Sequence, residues 1–278
     1  MPTPLDYLRH QPFFVKYIQP RLDITFAAKM QDIDWRVYVR LVRNITWVYK
    51  SGNVAPTLKA LFLAIDQTFQ PKVFWDVGAN IGYFSWLLLS HSKELEAVLF
   101  EPDLDNINLL RKTIAQADFL QSRVQLITSA VSDRQGKASF AIDAITGATG
   151  SIDDSRPTFV QMYYDADPSF TTVDTVSLDQ LWQQQRAGTP DLIKIDIEGS
   201  EDKAIAGAWE LIEACQPILV IECMHREIIE QLAQRGYHIL DAGNPQRSIK
   251  PGIDLLAIPD RHVDAIDNLC TNWQEILT

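Results

Sequence analysis

The stretch Val73-Phe74-Trp75-Asp76-Val77-Gly78-Ala79-Asn80-Ile81-Gly82-Tyr83-Phe84-Ser85 constrains the fold of this chain more than any other. Its first five residues, apolar except for Asp76, suit a strand buried on both faces of a parallel sheet. Gly78 and Gly82 allow a sharp turn and let a ligand lie close to the backbone. A helix opening near Gly82 points free N–H groups at whatever occupies that turn. The spacing is Asp-x-Gly-x-Asn-x-Gly, and Tyr83 stands where a dinucleotide fingerprint has its third glycine. Strand, turn and helix in this order also occur as a plain α/β connection, so the stretch alone does not assign a ligand.

Ala97-Val98-Leu99-Phe100-Glu101-Pro102 is a second apolar run that ends in a carboxylate. In nucleotide-binding α/β folds, an acidic residue at the end of the second strand accepts hydrogen bonds from ribose hydroxyls. Glu101 sits where that role requires. Asp103 suits the N-cap of a helix expected over 104–117, with Leu104, Ile107, Leu110, Ile114 and Ala117 on one face. A third run, Leu192-Ile193-Lys194-Ile195-Asp196-Ile197-Glu198-Gly199-Ser200-Glu201, again ends in carboxylates.

Together these three stretches resemble the FkbM family of S-adenosylmethionine-dependent methyltransferases, over about Pro71 to Pro259. The resemblance implies a class I, Rossmann-like α/β fold. Its sheet would be seven-stranded and mostly parallel with an antiparallel edge pair, preceded here by an N-terminal helical and hairpin extension. It implies S-adenosyl-L-methionine as cofactor and S-adenosyl-L-homocysteine as product. It also implies O-methylation, at a hydroxyl or carboxylate, of a secondary metabolite, sugar or small peptide. Carried onto this sequence, Asp76, Gly78, Asn80 and Gly82 would face the methionyl end, Glu101 the ribose, and Ala130 and Val131 the adenine, with Asp196 beside the cofactor and in the active site.

The remaining chain is expected to divide into an N-terminal extension at 1–70 and the methyltransferase domain at 71–278. Residues 1–20 suggest one or two short helices, and the period-two alternation of 34–49 a strand or hairpin. Pro56 to Phe69 has the spacing of a helix with Pro56 at its start. Further strands are expected at 124–128, 136–142, 172–177, 192–197 and 217–222, and helices after Ser200, over 226–234 and over 262–276. Tyr237–Leu240 and Asp254–Ile258 would form the antiparallel edge pair, joined by a tight reversal. The irregular stretch 143–170 is long enough to be either a lid over the substrate or simply disordered.

An apolar content of 46% in 278 residues supports one large α/β domain with extra elements. No run approaches the ~18 apolar residues that cross a bilayer. Met1-Pro2-Thr3-Pro4-Leu5-Asp6 has neither the basic start nor the apolar core of a signal peptide. Cys215, Cys223 and Cys270 form no Cys-x-x-Cys pair, which points to a reduced, cytoplasmic setting. The net charge of −11 argues against a nucleic-acid substrate and leaves a small molecule or peptide as the acceptor, with no membrane partner expected.

Ligands of open α/β sheets bind outside the carboxyl ends of the strands. Asp76, Glu101, Asp196 and Glu222 are expected at such ends. Lys194 in mid-strand needs a carboxylate partner if buried, either Asp196 or Glu222. Asp196 is the leading active-site candidate; His225, three residues past Glu222, is either the catalytic base or an ordinary surface histidine, and Glu198, on the same side of the strand as Asp196, is a further catalytic candidate. Asp196, Glu198 and Glu201 could bind a divalent cation, although carboxylates are favoured at a helix start in any case, and no metal is assigned. The rival readings are an N-methyltransferase, an NAD-dependent oxidoreductase and a non-catalytic cofactor-binding module.

Overall fold

The computed structural model describes residues 11, 13–50, 53–143, 150–152, 161, 169–222, 225–246 and 254–278. Seven strands form the main sheet. In chain order they are β3 (Val73–Val77), β4 (Glu96–Phe100), β5 (Val124–Ile127), β9 (Leu192–Ile195), β10 (Ile218–Glu222), β11 (Tyr237–Asp241) and β12 (Asp254–Pro259). Their spatial order is β11-β12-β10-β9-β3-β4-β5. β12 runs antiparallel to both its neighbours, whereas β10, β9, β3, β4 and β5 pair in parallel. The order reverses at β3, which lies between β4 and β9, so a crevice opens at the carboxyl ends of these strands.

The apolar runs bury both faces of the sheet, as a parallel sheet requires. Phe74 and Leu99 join one buried cluster with the helices Pro56–Phe69, Tyr83–His91 and Ile266–Leu277. Trp75, Val77, Val98, Phe100, Ile193 and Ile195 join the other, with the helices Leu178–Gln183, Glu201–Ala206, Trp209–Cys215 and Arg226–Gln234. A smaller sheet stands beside the crevice, formed by β6 (Ala130–Val131), β7 (Gly136–Ile142) and β8 (Ser169–Val176) in the order β6-β8-β7.

Near the N-terminus, β1 (Thr25–Lys29) and β2 (Arg36–Arg40) form an antiparallel hairpin. Val37 and Val39 are fully buried in the cluster that also holds Phe74. Trp35 meets Trp86 edge-on at 6.2 Å, Trp47 lies 4.6 Å from Tyr83, and Tyr38 N–H donates to Thr113 Oγ1 at 3.0 Å.

Five details differ from the sequence expectation. The stretch 34–49, expected as a strand or hairpin, is strand only over Arg36–Arg40, pairs with Thr25–Lys29 outside it, and is helical over Ile45–Tyr49. The helix expected over 104–117 ends at Ile114, and a separate short helix spans Asp118–Arg123. The helix after Ser200 breaks at Gly207 into two pieces. There a side chain would meet the Ser132 carbonyl at 2.4 Å. The C-terminal helix begins at Ile266, after a 3-10 turn over Asp260–Ala265. The edge pair is not joined by a tight reversal, since β11 ends at Asp241 and β12 starts at Asp254. Among the described residues, no helix is long and apolar enough to cross a membrane. Residues 1–10, Cys223 and most of 143–170 lie outside the described residues.

Candidate active site

Gly78 fixes the turn after β3. Its φ is +76°, and a Cβ there would lie 1.9 Å from the Asp196 backbone oxygen. No side chain fits between these two loops, so the glycine brings the β3 turn against the β9 turn. Gly82, with φ +81°, serves packing instead: a Cβ would strike the Trp86 ring at 2.5 Å. It does not line the crevice, whereas Gly78 and Asn80 do.

Glu101 closes one side of the crevice. It is 5% exposed, and its Oε2 accepts the Asn80 N–H at 2.7 Å while Oε1 accepts the Asp103 N–H at 2.9 Å. Burial pushes its carboxyl up to about 7, against the lowering pull of those N–H groups. Asp103 in turn caps the next helix, its Oδ1 accepting from the Asp105 and Asn106 N–H groups. Pro102, Asp103 and Asn106 therefore form a wall with Glu101, and Ser129, Ala130 and Val131 continue it.

Asp76 sits under the crevice rather than in it. The alternation of β3 turns it toward the helix Tyr83–His91, where its Oδ2 accepts from Ser85 Oγ at 2.7 Å. Lys194, its direct partner across β9, places Nζ 3.4 Å from Asp76 and 3.3 Å from Asp196, and donates to the Gly78 carbonyl at 3.1 Å. Burial opposes the ammonium charge, but the Asp196 and Asp76 carboxylates outweigh it and hold Lys194 above its ordinary value. Of the two partners expected for Lys194, Asp196 is in contact, and Asp76 is a further one.

Asp196, Glu198 and Glu222 converge beside this pair, each with a carboxylate oxygen within 4.8 Å of the others. Burial raises Glu222 to about 9, helped by the Asp196 charge and the hydrogen bond between the two carboxyls, while the burial of Asp196 itself is outweighed by Lys194 and that same hydrogen bond, which hold it below its ordinary value. Burial likewise lifts Glu198 to about 8, with Asp196, Glu201 and Asp143 adding repulsion. This trio, and not Asp196, Glu198 and Glu201, is the set with metal-ligand spacing among the described residues. Glu201 folds back on its own loop instead, its Oε1 accepting from Ile197 N–H at 3.2 Å and Gly199 N–H at 3.1 Å. The chain leaves the strand after Ile195, turns through left-handed backbone at Glu198 (φ 55°) and Gly199 (φ 93°), and Glu201 opens the next helix.

The crevice thus gathers Gly78, Asn80, Glu101, Ala130, Val131, Asp196 and Glu198 from the expected set. It does not gather Asp76, Gly82 or His225. His225 occupies the N-cap position of the helix Arg226–Gln234. The crevice also includes residues that sequence reasoning passes over, chiefly Asp143, Ser200, Gly150 and Ile152. Asp143 follows Phe140-Ala141-Ile142, the same apolar-run-then-carboxylate signal that marks Glu101. Two lining residues carry an unmet polar atom: Asn80 Oδ1 and Ser200 Oγ are buried and have no hydrogen bond. A polar ligand in the crevice would satisfy both.

The strand order, the inserted antiparallel β12 and a carboxylate-edged crevice at the topological switch define a class I, Rossmann-like methyltransferase fold. Residues 76–239, more than half of the 278, match the Methyltransferase FkbM domain, and the chain belongs to that family. The Hexuronic acid methyltransferase AglP of Haloferax volcanii is 22% identical over 179 residues, which are 64% of this chain and 67% of that protein. The crystal structure of Methyltransferase FkbM from Methylobacillus flagellatus KT is similar at 20% identity and TM-score 0.45, over 67% of this chain and 43% of that one. This chain therefore spans less than half of that structure. A methyltransferase from Geobacter sulfurreducens is similar at 16% identity and TM-score 0.42, covering 74% of this chain and 79% of that one.

Proposed function

We propose that this chain is an S-adenosylmethionine-dependent methyltransferase acting on an oxygen, hydroxyl or carboxylate, of a small acceptor such as a sugar, a secondary metabolite or a small peptide. The observation that carries the cofactor assignment is the Glu101 carboxylate, buried just past the end of β4 and holding the backbone of Asn80, whose Oδ1 is unpartnered. The sugar class draws support from the hexuronic acid named for the Haloferax relative.

In this reading Glu101 accepts from the ribose hydroxyls, Ala130 and Val131 pack on the adenine, and Gly78 and Asn80 hold the methionyl end. Asp76 acts one layer below, fixing Lys194 and through it Asp196. The bound cofactor supplies an electrophilic methyl on a sulfonium. The chain must then place the acceptor oxygen about 3 Å away in line and, where that oxygen is a hydroxyl, take its proton. Glu198 is better placed than His225 for that proton, because it lines the crevice and burial brings it to about 8. One observation favours a second reading: three converging carboxylates also suit an amine, which would make the enzyme an N-methyltransferase.

The test is incubation with methyl-labelled S-adenosylmethionine and a panel of sugars, uronic acids, hydroxylated metabolites and amines. Label in a base-labile ester or a stable ether supports the oxygen assignment. Label on nitrogen alone overturns it, and turnover of nicotinamide nucleotides in place of label transfer overturns the class of reaction.

A further inference from the structure

The cofactor reading leaves the N-terminal segment without a role, yet one side chain from it reaches the crevice walls. Arg43 is 7% exposed, and its backbone is set by Asp23, whose Oδ1 accepts the Arg43 N–H at 3.0 Å and the Val42 N–H at 2.8 Å. The guanidinium Nη1 donates to Asp105 Oδ2 at 2.8 Å, and Nη2 donates to the Asp143 carbonyl at 2.6 Å. Nη2 also lies 4.0 Å from Asp103 Oδ2.

These partners belong to separate walls. Asp103 caps the helix Leu104–Ile114 and donates its N–H to Glu101, so the position of that cap sets the Glu101 carboxylate. Asp143 follows the end of β7 and lines the crevice next to Gly150 and Ile152. Arg40 donates to the other oxygen of Asp105 at 2.8 Å, but its guanidinium turns to Asp23 and Asp105 rather than to Asp143. The bridge between walls therefore runs through Arg43 and not through Arg40. It needs two donors on different nitrogens in a rigid fork, which arginine has and lysine lacks.

We infer that Arg43 is a positioning residue of the cofactor crevice, tying the helix cap that aligns Glu101 to the end of β7. The inference rests on the S-adenosylmethionine reading. The N-terminal hairpin and the turn after it are then part of the cofactor site. Their removal or displacement would loosen it without touching a ligand-contacting residue.

The experiment is titration of S-adenosylhomocysteine and of methylthioadenosine, which lacks the amino-acid end, into wild type, Arg43→Gln, Arg43→Lys and Arg40→Gln. Arg43→Gln should weaken both ligands by the same factor, at least tenfold, because both lie against the Glu101 wall. Arg43→Lys should fall between it and wild type, and Arg40→Gln should stay within threefold of wild type. If Arg43→Gln does not fold by circular dichroism, Arg43→Lys and Asp105→Asn carry the test. Either of these binding as wild type overturns the inference, as does a folded Arg43→Gln with unchanged affinity or an equal loss in Arg40→Gln. Wild type that binds neither ligand would instead overturn the cofactor reading itself.

Discussion

Glu101 makes the pH dependence of cofactor binding predictable. Its carboxyl is held near 7 because burial opposes the charge, and the Asp103 and Asn80 N–H groups only partly offset this. Ribose hydroxyls donating to it would favour the ionised form, so binding should release a proton wherever Glu101 is still protonated. With a free-protein value of about 7, the ionised fraction rises from roughly one in eleven at about pH 6 to roughly ten in eleven at about pH 8. Affinity for S-adenosylhomocysteine should therefore rise about tenfold across that interval, or ~1.4 kcal/mol. Calorimetry in two buffers of different ionisation enthalpy reads both the affinity and the released proton. Glu101→Gln should bind more weakly and with a flatter profile. A flat wild-type profile, or the same slope in Glu101→Gln, would refute the reasoning. Stability of the unliganded protein should follow the same group. Folded Glu101 holds its proton more tightly than unfolded, so its effect on stability is most favourable below its unfolded value of 4.5 and is lost as pH rises through about 7. Glu101→Gln should remove that decline.

Three further outcomes come from the packing and the carboxylate cluster. Gly78→Ala should destabilise the fold by about 2 kcal/mol or more, because its Cβ meets the Asp196 carbonyl and φ is positive; thermal unfolding checks this. Lys194→Met leaves the buried Asp76 without its cation and should cost about 3–5 kcal/mol in urea unfolding, part of which Lys194→Met/Asp76→Asn recovers. Unchanged stability of the single variant would show that the pair is dispensable. Glu198→Gln should slow methyl transfer by about 10²–10⁴ and abolish a rising limb near pH 8, while S-adenosylhomocysteine affinity stays within a few fold. A rate within threefold of wild type would remove Glu198 as the base.

The core of this fold is legible in the sequence because its signals are local. Val73–Val77, Glu96–Phe100 and the helix Pro56–Phe69 declare themselves by apolar runs, glycine punctuation and helical spacing. β1 is not legible, since Thr25-Phe26-Ala27-Ala28-Lys29 buries only Ala28 and alternates weakly. The β7–β8 pairing joins strands far apart in sequence, and no local pattern announces such a contact. At the site, the acidic strand ends are visible, but which carboxylates meet is not. Glu222 arrives beside Asp196 through the parallel register of β10 and β9, whereas Glu201 is only five residues on and turns away. The place of Asp76 before the glycine turn suggests a ligand contact; strand alternation instead points it under the helix beyond that turn.

The central claim is that the crevice between Gly78 and Glu101 holds S-adenosylmethionine. Its most direct test is calorimetric titration of S-adenosylmethionine and S-adenosylhomocysteine into wild type and Glu101→Ala. The account predicts micromolar binding to wild type and at least a tenfold loss, about 1.4 kcal/mol, in the variant. No binding by wild type that mass spectrometry shows to be free of copurified ligand, or equal binding by Glu101→Ala, would contradict it.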